Sequence, residues 1–169
     1  METHSVGSIV RALNAANVRY LVAGGLAVVA HGYVRFTADI DLIIDFERGN
    51  VSRAIAALES LGYLPRAPVP FADFADPEKR ALWTRDHNLT VFSVWSPRHP
   101  LTEVDVFAES PLDFDAAYAR AVRKEIAPEL SATFVGIADL RALKRLAGRP
   151  QDLLDLDNLP APEGNERDE

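Results

Sequence analysis

Two apolar runs constrain this chain more than anything else in it. The first, residues 18–23 (VRYLVA), closes on Gly24 and Gly25; the second, residues 39–45, reads DIDLIID. β-Branched and aromatic residues make the first a buried strand. In the second, Asp39 and Asp41 stand at i and i+2, so a strand points both carboxylates to one face, roughly 6.5–7 Å apart along the chain. Between them, residues 26–31 suit a short helix that Gly32 stops in a left-handed conformation. Strand, glycine pair, short helix and acid-bearing strand together predict a sheet with its acids beside a glycine turn.

Two carboxylates this close repel each other unless a cation lies between them. Magnesium prefers a few carboxylate oxygens together with substrate phosphates. A glycine pair ahead of a helix can offer backbone N–H groups to a phosphate. Each feature also has a plainer reading: the acids as the solvated face of a half-exposed strand, the glycines as a tight turn. Three familiar sites are excluded. No Gly-Lys-Ser/Thr follows for a P-loop, and the third glycine of a dinucleotide fingerprint is missing. Aliphatic residues at 40 and 42–44, with no turn glycine, exclude a calcium loop.

The rest of the chain supplies the layers. Ser5 can cap a helix reaching about residue 17, and Asn50 or Ser52 begins another to residue 61. Residues 63–76 are looser, punctuated by Pro65, Pro68 and Pro70, with Pro77 just beyond. Strands are expected over 89–95 and 101–107, joined tightly by SPRHP. A short helix over 113–120 and one or two strands over 122–135 follow. Residues 137–147 form a helix that Gly148 ends, and Pro150 opens a last helix to about residue 159. At 169 residues the chain is long enough for one domain. The predicted fold is α/β (α+β): a mixed twisted β-sheet with flanking helices and a helical C-terminal cap over residues 1–159. Residues 160–169 lack an apolar pattern and are expected to form a frayed acidic tail.

Charge and cysteine narrow the function. Lys plus Arg total 18 against 25 Asp plus Glu, a net charge of -7. That disfavours a long nucleic-acid footprint, which needs clustered cations. Absence of cysteine excludes disulfides, thiolate metal sites and cysteine nucleophiles. The opening residues lack a secretory pattern, and the longest apolar stretch is about half of a membrane span. The expectation is a cytoplasmic protein with no membrane partner.

Ala23-Gly24-Gly25, thirteen residues, then Asp39-Ile40-Asp41-Leu42 resembles the signature of the polymerase-beta-like nucleotidyltransferase superfamily. The fuller string GGLAVVAHGYVRFTADIDLII looks like its small bacterial branch, related to the abortive-infection toxin AbiEii and to minimal nucleotidyltransferases. The C-terminal ADLRALKRLAGRPQDLLDLDNL resembles the end of AbiEii-type chains, with Lys144, Arg149, Pro150, Asp152 and Asp155 at matching positions. Gln151 stands where a lysine is common, so one cation is lost.

The resemblance implies a third carboxylate on a neighbouring strand. In LTEVDVF, Glu103 and Asp105 share a face, and Asp105 is chosen because apolar residues flank it on both sides. The implied roles are metal binding by Asp39, Asp41 and Asp105, with Asp105 also deprotonating the attacking hydroxyl. Lys144 neutralises phosphate charge, and Gly24, Gly25, Arg35, Thr37, Arg149 and Asp155 contact the nucleotide. Against these stand an exposed helix lysine at 144, a surface salt bridge at Asp155, and Arg35 as counter-ion to Asp39 and Asp41. His31 is read as a packing and capping residue before a base, and Trp83 and Trp95 as core before base-stacking surfaces. His4, His87 and His99 lack ligand spacing.

The implied activity is transfer of a nucleoside monophosphate from an NTP such as ATP or GTP, with Mg²⁺ or Mn²⁺, to an acceptor hydroxyl. That acceptor is RNA (tRNA for toxin relatives), a protein side chain or a small molecule. A toxin of a toxin–antitoxin or phage-defence system, with a cognate antitoxin as partner, is one setting. The competing class is a non-catalytic nucleotide-binding or toxin-pairing module with a degenerate transferase fold. A glycosyltransferase using its own Asp-x-Asp fits less well, needing a longer chain and no upstream glycine pair.

Overall fold

In the computed structural model, which describes residues 3–162, one seven-stranded mixed sheet organises the chain. Its strands are β1 (Tyr20–Ala23), β2 (Asp39–Ile44), β3 (Leu64–Pro65), β4 (Val91–Trp95), β5 (Glu103–Phe107), β6 (Val122–Ala127) and β7 (Leu130–Phe134). They lie in the order β3-β4-β5-β2-β1-β7-β6. β2 is antiparallel to β1 and parallel to β5, while β1 is parallel to β7. The helices are α1 (Thr3–Ala15), α2 (Gly24–Ala30), α3 (Arg48–Ser60), α4 (Pro77–His87), α5 (Phe114–Ala119), α6 (Ile137–Ala147) and α7 (Pro150–Asn158). The expected α/β architecture and helical C-terminal cap are present. Of the predicted tail, residues 163–169 lie outside the described residues.

Period-two alternation gives β2 its two faces. Leu42 and Ile44, with Val106 of β5, pack against Leu13 of α1 and Ala54 and Leu58 of α3. Asp39 and Asp41 point the other way, where α2 and α6 cover the sheet. Central strands buried on both faces explain why β1 is apolar throughout. β2 departs from that rule only at its two acids, where the covering layer opens into a cleft.

Several local expectations are corrected. Gly24 and Gly25 form the first turn of α2 rather than a turn before it. Glu47, not Asn50 or Ser52, caps α3, accepting from the N–H groups of Gly49 and Asn50. Asn50 is buried instead, where its amide donates to the carbonyls of Arg19 and Asp45 and its oxygen accepts from Arg19 N–H. That side chain ties the end of the β1 approach to the start of α3. Residues 77–87 form α4, capped by Asp76 with Pro77 in its first turn, where no helix was anticipated. Its amphipathic signal is too weak to read, because only Arg80 is buried.

Candidate active site

Parallel pairing of β2 with β5 sets Asp41 opposite Asp105 and Asp39 opposite Glu103. Four carboxylates therefore share one sheet face. Their surroundings distinguish them. Glu103 is held by Arg66, whose Nη2 and Nε donate at 3.0 and 3.2 Å, so it is a surface ion pair. Asp105 accepts from the Ser93 hydroxyl on β4 and faces inward to the cleft. Asp39, Asp41 and Asp105 have no salt bridge among the described residues, although Arg35 does reach an acid elsewhere.

Burial pushes the Asp41 carboxyl up to about 6, helped by repulsion from Asp105 and then Asp39 and opposed by Lys144 and Arg149. Burial also raises Asp105, against the lowering effect of Ser93, with Asp39 and Glu103 adding repulsion. Among the described residues no group of three or more His, Asp or Glu side chains is already gathered as a metal centre. Asp105 is turned to Ser93, and the Asp41 carboxyl packs against Gly24.

The glycine pair is shaped by these same side chains. At Gly24, φ is +60°, and a β-carbon there would stand 1.8 Å from Asp41 Oδ2. At Gly25 a β-carbon would meet Thr37 Oγ1 at 2.5 Å and Arg35 Nη2 at 2.9 Å. Small residues at 24 and 25 thus let α2 begin directly against the acidic strand and the loop before it. α2 has only seven residues, so its N–H groups are a minor part of the site.

The opposite wall comes from the C-terminal cap. Lys144 on α6 is 5% exposed, and its ammonium lies 2.8 Å from Asp152 and 2.9 Å from Asp155. Arg35 reaches the same Asp155 from the loop before β2, with Nε 2.8 Å from Oδ1 and Nη2 donating to Oδ2 at 3.0 Å. Arg149 Nε donates to Asp152 at 2.7 Å, and the Arg149 backbone N–H adds a second bond at 3.2 Å. Gln151 donates to Asp155 at 3.0 Å. Burial raises Asp152, but its bonds to Arg149 and Lys144 outweigh that and hold it at about 2. Burial is outweighed at Asp155 too, by Lys144, Gln151 and Arg35, and that carboxyl is lowered.

A cleft of about 460 Å³ separates the two walls. Asp39, Asp41, Asp105, Lys144, Gly24, Gly25, Arg35, Thr37 and Arg149 all line it. Asp155 does not: its side chain is fully buried, behind the cations it binds. Lys144 is no exposed helix lysine, and Arg35 pairs with Asp155 rather than with Asp39 or Asp41. His31 caps α2 and donates through Nε2 to the Val135 carbonyl at 2.8 Å, away from the cleft. Trp83 stacks on Phe92 at 5.4 Å, and Trp95 lies under Arg66 at 5.2 Å. Asp152 entered the sequence reading as a position of the C-terminal resemblance, but its grip on Lys144 was not foreseen, and the 80%-exposed Phe36 at the cleft mouth was passed over. The place of Asp152 at a helix start was legible: Pro150 in the first turn with an acid two residues later is a helix-start pattern.

The chain matches no family model and no curated protein. No helix among the described residues is long and apolar enough to cross a membrane.

Proposed function

We propose that the protein is a metal-dependent nucleotidyltransferase, moving a nucleoside monophosphate from an NTP to an acceptor hydroxyl. The observation that carries this reading is the in-register pair Asp41 and Asp105, with Asp39 beside them, facing Arg35, Lys144 and Arg149 across one cleft. Anionic and cationic walls on one cleft suit a metal-bound triphosphate, whose phosphates need both kinds of partner.

The donor set fits a hard divalent cation. Three carboxylates without an ion-pair partner, two of them raised by burial and mutual repulsion, gain from a cation among them. Asp39, Asp41 and Asp105 would hold Mg²⁺ or Mn²⁺. Such an ion supplies charge stabilisation to the attacking and leaving oxygens of an in-line displacement. This chain's own groups do the rest. Asp105 takes the proton of the attacking hydroxyl, Arg35 and Arg149 contact the phosphates, and Thr37 and the glycine pair let the triphosphate approach the backbone. Lys144 neutralises charge from beneath, and Asp155 holds Lys144 and Arg35 in place rather than touching the nucleotide.

Incubation with labelled NTPs, Mg²⁺ and total RNA, lysate or small hydroxyl compounds tests the reaction. A labelled acceptor that disappears with Asp39→Ala supports transfer; equal labelling by wild type and variant sinks it. A toxin role predicts growth arrest on expression, relieved by Asp41→Ala. One observation favours a non-catalytic binding module instead: Lys144 and Arg35 are already ion-paired. Under that reading Mg-NTP binds, and no acceptor is ever labelled.

A further inference from the structure

A second cavity, of about 410 Å³, shares no lining residue with the first cleft. Phe46, just past β2, and Ala108, Glu109 and Ser110, directly after β5, line it together with Pro77, Arg80 and Ala81 of α4. Arg80 is 7% exposed, yet it makes no salt bridge among the described residues. One of its N–H groups, at Nη1, donates to the Phe74 carbonyl. Its guanidinium carbon sits 4.4 Å from the Phe46 ring centre and 5.6 Å from that of Phe74. The neighbouring acids are committed elsewhere. Asp73 binds Lys79, and Asp76 caps α4 through the N–H groups of Glu78 and Lys79. Burial lowers the Arg80 pKa against the pull of Asp76, but a guanidinium keeps its proton in a protein. The buried charge therefore remains without a counter-ion. Among the described residues two other arginines lie over aromatic rings, and both have carboxylate partners: Arg19 binds Asp45 and Asp115, and Arg66 binds Glu103. Arg80 has the ring support without the anion. Fully buried nitrogens lacking a partner belong to Arg35 and Arg141, so the unused Nε and Nη2 of Arg80 keep an open approach.

We propose that this cavity binds a small organic carboxylate, which Arg80 takes on its planar guanidinium. Such a site stands whether or not the first cleft transfers nucleotides. The guanidinium fork matches the two oxygens of a carboxylate, and the Phe46 ring against it holds the fork in place. Phe46, Pro77, Ala81 and Ala108 offer apolar surface to the carbon body of the ligand. The cavity has the size of a small-molecule site. Glu109 lines it too, is exposed, and makes no salt bridge among the described residues. A singly charged anion is therefore favoured over phosphate, whose second charge Glu109 repels.

Benzoate, a planar carboxylate on an apolar body, is the probe. Benzamide is its neutral counterpart, and inorganic phosphate is the competing anion. Each is titrated into the full chain while backbone NMR follows the amides of Ala81, Ala108 and Ser110. Benzoate should saturate these shifts with a Kd on the order of 1–10 mM. Benzamide and phosphate should bind at least about fivefold more weakly. Arg80→Met keeps an unbranched side chain against the rings but removes the charge, and should weaken benzoate binding more than about tenfold. Arg80→Lys keeps the charge and loses the fork, for a loss of about fivefold. Glu109→Gln removes the repulsion and should tighten binding about twofold to threefold. Near-UV circular dichroism checks that each variant is packed. If Arg80→Met does not fold, Arg80→Lys and Glu109→Gln decide between them. The assignment is overturned by benzoate shifts that fail to saturate below about 50 mM. Equal affinity for benzamide, tighter binding of phosphate, or benzoate affinity indifferent to the Arg80 variants or weakened by Glu109→Gln overturns it as well.

Discussion

The Asp41 carboxyl packs onto the α-carbon of Gly24, leaving no room for a side chain between β2 and the start of α2. A β-carbon at position 24 would lie 1.8 Å from Oδ2 and 2.5 Å from Cγ of Asp41. Because φ at Gly24 is +60°, an alanine is strained even before it collides. Gly24→Ala should destabilise the fold by about 2–4 kcal/mol in chemical denaturation. Gly148 provides the control: φ is +61° and the nearest atom to an added β-carbon is 3.6 Å away. Gly148→Ala should cost only about 1–2 kcal/mol. Adding Asp41→Ala to Gly24→Ala should recover the difference, and equal losses at positions 24 and 148 would show that the contact is unimportant.

Asp155 is the joint between the loop before β2 and the C-terminal cap. Its carboxylate binds Lys144 at 2.9 Å and Arg35 at 2.8 Å, and its side chain is fully buried. Removing one partner of a buried charge cluster leaves the others uncompensated. Asp155→Ala is therefore expected to lose about 3–5 kcal/mol, and Asp155→Asn less. The cations of the first cleft should lose their register too, so inorganic triphosphate should bind more weakly to Asp155→Asn by calorimetry. A loss below about 1 kcal/mol for Asp155→Ala would mean that Asp152 alone can hold Lys144.

The parts of this architecture legible in the sequence are those with a local signal. Period-two alternation revealed the two-faced β2 and β5, and Gly148-Arg149-Pro150 marked the break between α6 and α7. What stayed hidden depends on pairing between distant segments. Nothing local distinguishes Asp105 from Glu103 as decisively as Arg66 does, 37 residues before Glu103. Lys144 was expected to face phosphate, with an exposed helix lysine as the alternative; its burial stayed hidden because its helix gives no hint that two acids from α7 enclose it. α4 was missed because it buries only Arg80, so no apolar stripe betrays it. Asp155 was read as a nucleotide contact from the resemblance of the C-terminal segment, whereas packing hides it behind Arg35 and Lys144.

Acid should loosen the cap before the sheet. Asp152 is held at about 2 by Arg149 and Lys144 against its burial. An unfolded aspartate titrates near about 3.9, so the unfolded chain takes up this proton first as pH falls. The stabilisation, on the order of 2 kcal/mol, is complete above about pH 4 and drains away as pH drops toward 2. Asp152→Asn should flatten the stability profile across that window. An unchanged profile would remove Asp152 from the acid response.

Asp41 carries the opposite sign. Its folded carboxyl titrates at about 6, above the unfolded value near about 3.9, because burial and the neighbouring acids disfavour its charge. Between those values the folded protein holds a proton that the unfolded chain has released. Stability of the metal-free protein therefore falls as pH rises from about 4 to 6 and stays level above. Asp41→Asn cannot ionise, so at pH 7 without metal it should be more stable than wild type, by about 1–3 kcal/mol. That advantage should vanish near pH 4. A divalent cation reverses the comparison. Ten millimolar Mg²⁺, on the order of common assay levels, should raise the wild-type Tm by mass action and leave Asp41→Asn nearly unmoved. A residue that weakens the empty fold yet is needed for the ion to strengthen it is behaving as a ligand. If Asp41→Asn loses stability at pH 7, or gains as much from Mg²⁺ as wild type does, the carboxylate is structural and the metal reading of the acidic face fails.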